Sequence, residues 1–123
     1  LFETSDIVTC HTSLNENTYH MVDGGKFALM KSSAILINTS RGSVVDEVAL
    51  IDAISNGLIA GAGIDVFENE PVEPDNPLLS FPNVLSTPHM AGTTWDTWRR
   101  RAEFGFGNMD LLLQEKSPLS IVN

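Results

Sequence analysis

A chain of 123 residues is long enough for one domain with a real core, with about two-thirds of its unfolded surface leaving water on folding. Sixteen acidic against seven basic residues give a formal net charge of −9, which argues against nucleic acid as a partner, because phosphate binding needs a basic face. Hydrophobic residues make up 42%, no run approaches the roughly 18 apolar residues of a membrane span, and no charged-then-apolar leader is visible.

Leu1-Phe2-Glu3 reads as the tail of a helix and no initiator methionine precedes it, so the chain is expected to start inside something larger. Ile7 to Cys10 is the first of four short apolar runs that read as strands. Cys10 is the single cysteine, so no internal disulfide forms, and a reducing, cytoplasmic compartment is the default. Its apolar setting makes it a core thiol and not a nucleophile. The stretch from Asn15 to Lys31 is mixed, with a short helix expected near Gly25 to Met30. Ala34 to Asn38 is the second strand-like run. A helix signal follows: Asp46 is a good N-cap, Ala49, Leu50, Ala53 and Ile54 form one apolar stripe, and Gly57 supplies the stop.

Ala60 to Val66 is the third strand, which makes a β-α-β unit with a right-handed crossover. Glu68 to Pro82, carrying Pro71, Pro74 and Pro77 as well, is expected to be an irregular loop. Val84 to Thr87 is the fourth strand. Thr94 to Glu115 reads as one long helix, with Thr93 and Asp96 matching a capping-box pattern. On it Trp95, Trp98, Ala102, Phe106, Met109, Leu112 and Leu113 recur at helical spacing, a stripe expected to serve as core or interface. Gly105 and Gly107 each weaken that helix by about 1 kcal/mol relative to Ala. Arg99-Arg100-Arg101, flanked by Asp96 and Glu103, reads as a solvated helix face. The four strand-like runs barely alternate, which favours a parallel sheet covered on both faces, in an α/β fold.

In an open parallel sheet, ligands bind outside the carboxyl ends of the strands. Arg41 lies three residues past the second run, Glu70 in the loop after the third, and His89 two residues past the fourth. The guanidinium of Arg41 can grip a carboxylate through two parallel hydrogen bonds, which a lysine cannot reproduce. An imidazole such as His89 suits proton exchange near neutrality, and a carboxylate beside it would favour imidazolium and fix the ring's orientation. Singly, each residue has an ordinary explanation: a turn arginine, a solvated loop acid, a helix cap. Together they fit interconversion of a 2-hydroxy acid and a 2-oxo acid beside a nicotinamide.

Other constellations fare worse. His11, His20 and His89 show no zinc-like spacing, so no metal site is expected. Ser40 and Ser43 lack the G-x-S-x-G elbow. Gly61-Ala62-Gly63 begins a strand instead of following one, so close packing explains it better than a dinucleotide fingerprint.

The runs Ser5 to His11, Leu29 to Lys31, Ala34 to Gly42, Val45 to Glu47, Ala60 to Pro71 and Pro88 to Gly92 stand in order along the chain. Together they resemble the D-isomer-specific 2-hydroxyacid dehydrogenases, and the resemblance runs from about Leu1 to Asn123. It implies part of a Rossmann-like doubly wound parallel sheet of about four strands with a long C-terminal helix. It also implies that Arg41 binds the substrate carboxylate and contacts nicotinamide, that Glu70 partners His89, and that His89 is the catalytic acid/base. His11, Thr39, Ser40, Asp65 and Gly92 match positions lining the nicotinamide end of NAD or NADP, with Asp65 receiving a hydrogen bond from the carboxamide. Ser13 stands where the family's H-x-P phrase has proline. Relatives that oxidise formate use glutamine where Glu70 stands, although Thr93-Thr94 echoes them.

The resemblance covers residues 1–123 as the C-terminal half of an NAD(P)-binding domain, without the G-x-G-x-x-G half or a separate substrate domain. The expected function is therefore that of an NAD(P)-dependent oxidoreductase acting on a small 2-hydroxy or 2-oxo acid, present as a truncated piece inactive alone. The alternative is a noncatalytic interaction module, like the corepressor relatives of this fold. With the strand from Ile7 to Cys10 at a bare edge, a homodimer or larger assembly is expected.

Overall fold

The computed structural model describes residues 1–121. The chain divides into two compact units, Leu1–Ala91 and Gly92–Asn123. Four strands make one sheet in the first unit: β1 (Ile7–Cys10), β2 (Ile35–Asn38), β3 (Gly61–Ile64) and β4 (Val84–Ser86). They are parallel and lie in sequence order, so β1 and β4 form the edges. The expected runs are thus all strands, with the second to fourth trimmed by one to three residues. Residues 42–44 and 77–79 form single 3₁₀ turns, the latter inside the loop expected to be irregular.

The strand sequence alternates little, yet its burial does. Val8, Cys10, Leu36, Asn38, Ala62 and Ile64 are buried on one face, whereas Ile7 and Ile35 on the other are exposed. The expectation of a sheet covered on both faces is therefore corrected: among the described residues, one face carries the core. That core contains Phe27 from helix α1 (Gly24–Phe27) and Leu50, Ala53 and Ile54 from helix α2 (Glu47–Ser55), with Ile59 and Leu78 from the connections. Each fully buried aliphatic or aromatic side chain of this kind stabilises the fold by about 1.5–3 kcal/mol.

Helix α2 begins as its sequence dictates. Asp46 accepts a hydrogen bond from the Ala49 N–H at 3.0 Å, and Gly57, at φ +64°, takes the left-handed turn that ends it. Helix α1 is earlier and shorter than the expected Gly25 to Met30. Asp23 caps it through the Lys26 N–H, and beyond Phe27 the bonds from Leu29 to Lys26 and from Met30 to Phe27 skip only three residues, tightening the chain out of the α-helix. Gly61 starts β3 so close to its neighbour that a Cβ would lie 2.5 Å from the Asn83 carbonyl oxygen, which fits close packing as the reason for that glycine.

The second unit is built on helix α3 (Trp95–Leu113). Its cap is Thr94 and not Thr93: Thr94 is extended, and its Oγ1 accepts the Thr97 N–H at 3.1 Å. At the other end Glu115 adopts φ +56° and the Lys116 N–H returns to the Leu111 carbonyl at 2.9 Å. No residue of α3 is buried, so its apolar stripe does not form core.

Candidate active site

Register fixes where the functional side chains stand. Cys10 pairs with Asn38, Asn38 with Ile64, and Ile64 with Ser86, so the four strands end on one line. The residues just past that line are His11, Thr39 to Arg41, Asp65, and Thr87 to His89. The carboxyl ends of the strands therefore carry nearly every expected site residue of the first unit, the remaining one being Glu70 farther along the β3 loop.

Asp65 organises the turn that presents His89. Its carboxylate Oδ1 accepts from Thr87 Oγ1 at 2.5 Å and from the Met90 N–H at 2.8 Å, and Oδ2 accepts from the Ala91 N–H at 2.9 Å. The His89 N–H adds a bond to the Asp65 carbonyl at 2.9 Å. These contacts hold His89 at φ +51°, a left-handed conformation that costs a non-glycine residue about 1–2 kcal/mol. Burial pushes the Asp65 carboxyl up, but the hydrogen bonds from Thr87, Ala91 and Met90, helped by the nearby His89, outweigh it and leave the group below the ordinary aspartate range. Asp65 is 4% exposed, and its oxygens are already engaged by its own chain.

His89 Nδ1 lies 2.7 Å from Glu70 Oε2, while Glu70 Oε1 accepts the Phe67 N–H at 3.0 Å. The hydrogen bond from His89 is the main reason the Glu70 carboxyl sits below its ordinary value; burial opposes it, the Phe67 N–H and the His89 charge assist, and Asp65 opposes again. An ionised carboxylate can only accept, so Nδ1 carries the proton of this bond. Nε2 is then the ring atom left for exchange, an acceptor on the neutral ring and a donor on the imidazolium. The ring is half exposed, at 51%.

A second group surrounds a hollow of about 460 Å³ lined by His11, Thr12, Thr39, Ser40 and Arg41 among others. Asn38, buried beneath it, accepts from the Ser40 N–H and Oγ and donates to the Arg41 carbonyl at 2.9 Å, shaping the turn that follows β2. Arg41 is exposed; among the described residues its guanidinium bonds only to the adjacent Ser40 carbonyl, at 2.6 Å. His11 meets Thr9 Oγ1 at 2.8 Å, and Thr12 Oγ1 is buried without a hydrogen-bond partner among the described residues.

Glu70 and His89 instead line a separate, more apolar hollow of about 630 Å³, with Phe67, Val72 and Leu79. Among the described residues no hydrogen bond or salt bridge joins Arg41 to that pair. Gly92 opens the second unit and is described with it.

Sequence reasoning missed four participants. Thr12 follows His11 directly and Thr87 stands two residues before His89, and neither carries a motif of its own. Glu47 and Glu68 lie within the runs Val45 to Glu47 and Ala60 to Pro71, and the resemblance gives neither a role of its own. The structure also gathers His20, Asp46 and Glu68 with ligand-type atoms within 4.8 Å of one another, a grouping that spacing of the histidines could not disclose.

A parallel sheet with its polar groups aligned past the strand ends places the chain in the open α/β class, whose ligands bind at that edge. Residues 1–91 match the model of the D-isomer specific 2-hydroxyacid dehydrogenase NAD binding domain, and the chain belongs to that family. A glyoxylate reductase from Korarchaeum cryptofilum is 47% identical over 123 residues, covering 100% of this chain and 37% of the relative. The crystal structure of a D-lactate dehydrogenase with NAD+ from Lactobacillus jensenii superposes with a TM-score of 0.92 at 32% identity, covering 99% of this chain and 41% of that one. That of an NADPH-dependent glyoxylate/hydroxypyruvate reductase from Sinorhizobium meliloti, in complex with NADP and malonate, gives 0.87 at 38% identity over 98% and 37%. The chain thus spans little more than a third of the length of such relatives. Among the described residues no helix is long and apolar enough to cross a membrane.

Proposed function

We propose that these residues form the catalytic wall of an NAD(P)-dependent dehydrogenase that interconverts a small D-2-hydroxy acid and its 2-oxo acid, with glyoxylate and hydroxypyruvate as first candidates. The observation that carries this reading is the 2.7 Å bond between His89 Nδ1 and Glu70, which orients the ring and leaves Nε2 for the substrate. Arg41, exposed and free of any carboxylate partner among the described residues, suits a bidentate grip on the acid's carboxylate.

The hollow bordered by His11, Thr39, Ser40 and Arg41 fits the nicotinamide end of the cofactor: Thr12 Oγ1 is a buried polar atom there with no partner among the described residues. When bound, nicotinamide supplies or accepts the hydride at C2 of the acid. In reduction His89 Nε2 gives its proton to the C2 oxygen and the ring becomes neutral; in oxidation the neutral ring takes the hydroxyl proton. Glu70 holds the ring and stabilises its charged form throughout, and Asp65 fixes the turn that carries it. Between them, Arg41 and His89 would select an acid with an oxygen on the carbon beside its carboxylate.

The sequence contains no glycine-rich turn after a strand to receive a pyrophosphate. We therefore expect the 123-residue chain to show no turnover by itself as a partial NAD(P)-binding domain. Grafted in place of its counterpart in the Korarchaeum relative, it should restore NAD(P)H-dependent reduction of glyoxylate or hydroxypyruvate. A folded graft that binds cofactor but reduces no 2-oxo acid from a broad panel would sink the reading.

Self-association belongs to the same proposal. The edge strand β1 pairs on one side only, and α3 exposes Trp95 and Phe106, so a second copy of this chain is the expected cover for one or the other. Light scattering that finds only monomer at micromolar concentrations would remove this part. A reducing cytoplasm suits the buried thiol of Cys10, which burial raises above its usual range.

A further inference from the structure

The Glu70 loop is held from the side away from His89 by a cluster of acidic residues and one imidazole. The Glu68 N–H donates to Glu47 Oε2 at 3.0 Å, and the Glu47 N–H donates back to Glu68 Oε1 at 3.1 Å. The other Glu47 oxygen accepts from Asn76 Nδ2 at 2.7 Å, which ties down the returning limb of the same loop. Glu68 Oε1 also meets His20 Nε2 at 2.6 Å, and the other nitrogen of that ring lies 3.8 Å from Asp46. His20 is itself set in place: it adopts φ +48°, its N–H bonds the Ser43 carbonyl at 2.8 Å, and its ring stacks on Tyr19 at 4.0 Å.

The same peptide is confined on its other side. A Cβ on Gly42 would lie 1.9 Å from the Phe67 carbonyl oxygen and 2.4 Å from the Glu68 nitrogen, so only glycine lets the Arg41 turn press this closely on the loop. Phe67 then gives its N–H to Glu70 Oε1, leaving Oε2 for His89. A chain of contacts thus runs from His20 and Glu47 to Glu68, across the Phe67–Glu68 peptide to the Phe67 backbone, and from the Phe67 N–H to the Glu70 carboxylate.

We propose that Glu68, clamped by Glu47 and His20, is a positioning residue that sets the geometry of the Glu70–His89 pair. Three carboxylates, those of Asp46, Glu47 and Glu68, converge near the start of α2, where like charges repel. The favourable end of the helix dipole and the His20 ring offset that repulsion. The cluster is a clamp and not an ion site, because Glu68 Oε1 is already shared by a backbone N–H and the imidazole. The inference rests on the reading of Glu70 and His89 as the acid/base pair.

The test follows the Glu70 side-chain carboxyl through its titration by ¹³C NMR in the 123-residue chain, with amide spectra as the check of folding. His89→Gln provides the value for a broken pair. Glu68→Ala should move the midpoint upward most of the way to that value. His20→Asn, which tolerates the left-handed backbone but is too short to reach Glu68, should move it in the same direction by less. Glu68→Gln keeps an acceptor for both donors and should restore the parent midpoint.

A parent-like midpoint in folded Glu68→Ala overturns the proposal. Should that variant not fold, a parent-like midpoint in His20→Asn does so instead. In the graft, Glu68→Ala should lower kcat about tenfold with KM for the 2-oxo acid unchanged, and Glu68→Gln should recover it. A graft without activity, alongside an NMR shift as expected, would count against the dehydrogenase reading and leave the clamp standing as geometry.

Discussion

The two sides of the candidate site are built on opposite plans. Around His89 nearly every polar atom is engaged by the chain itself: Asp65 takes three donors, Glu70 takes two, and the ring's Nδ1 is committed to Glu70. Around Arg41 the groups stand open: among the described residues the guanidinium bonds only to its neighbouring carbonyl, and the buried Thr12 hydroxyl has no partner. A proton carrier gains from fixed orientation, because its geometry must be right before the substrate arrives. A carboxylate grip gains from unused donors, since any internal partner would compete with the ligand. The difference separates machinery organised by the fold from machinery completed by what binds.

Removing the proton carrier should produce the largest effect. In the graft, His89→Gln is expected to lower kcat by about 100- to 10,000-fold, the usual contribution of a positioned acid/base, with little change in cofactor affinity. Steady-state kinetics with glyoxylate would decide, and a loss confined to KM would place His89 among the binding groups instead.

Arg41→Lys probes the open side and should be milder. Lysine keeps the charge but loses the planar fork, so kcat/KM for the 2-oxo acid should fall by about 10- to 100-fold, or roughly 1.4–2.8 kcal/mol. Because Arg41 has no carboxylate partner to release among the described residues, the thermal midpoint should hold. A large drop in stability would mean that this side, too, is internally committed.

The contrast between the sides also shows what the residues alone could disclose. The strands, the Asp46 cap and the order of Arg41, Glu70 and His89 after successive strands were readable, because apolar runs and capping residues act locally. Register then made the convergence concrete by ending all four strands on one line. What escaped was long-range. The bonds between Glu47 and Glu68 span 21 residues and that between His20 and Glu68 spans 48, and neither spacing has a local signature. The resemblance makes Asp65 a cofactor contact, whereas its hydrogen bonds to Thr87, Met90 and Ala91 depend on how the β3 and β4 loops meet. The one-sided burial of the sheet was hidden for a related reason: Ile7 and Ile35 are as apolar as the residues that line the core.

The smallest expected effect concerns acid, and it tests the organised side alone. Both Asp65 and Glu70 have carboxyls held below their ordinary values of about 3.9 and 4.3. A carboxyl whose folded value is lowered contributes stability in full above its unfolded value, and loses it as pH falls through the folded one. Stability of the first unit should therefore be flat above about pH 5 and decline below about pH 4. Glu70→Gln should make that decline shallower while costing less than about 1 kcal/mol at neutral pH, because its side chain is 37% exposed and solvent screens the pair. Asp65→Asn should flatten it further, but at a neutral-pH cost of about 1–3 kcal/mol, since an amide nitrogen would then face one of the donors that the carboxylate accepts. Urea unfolding followed between pH 3 and 7 would show both. Were the two variants to keep the parent's acid slope, the hydrogen bonds at these carboxylates would not be what holds the His89 turn in place.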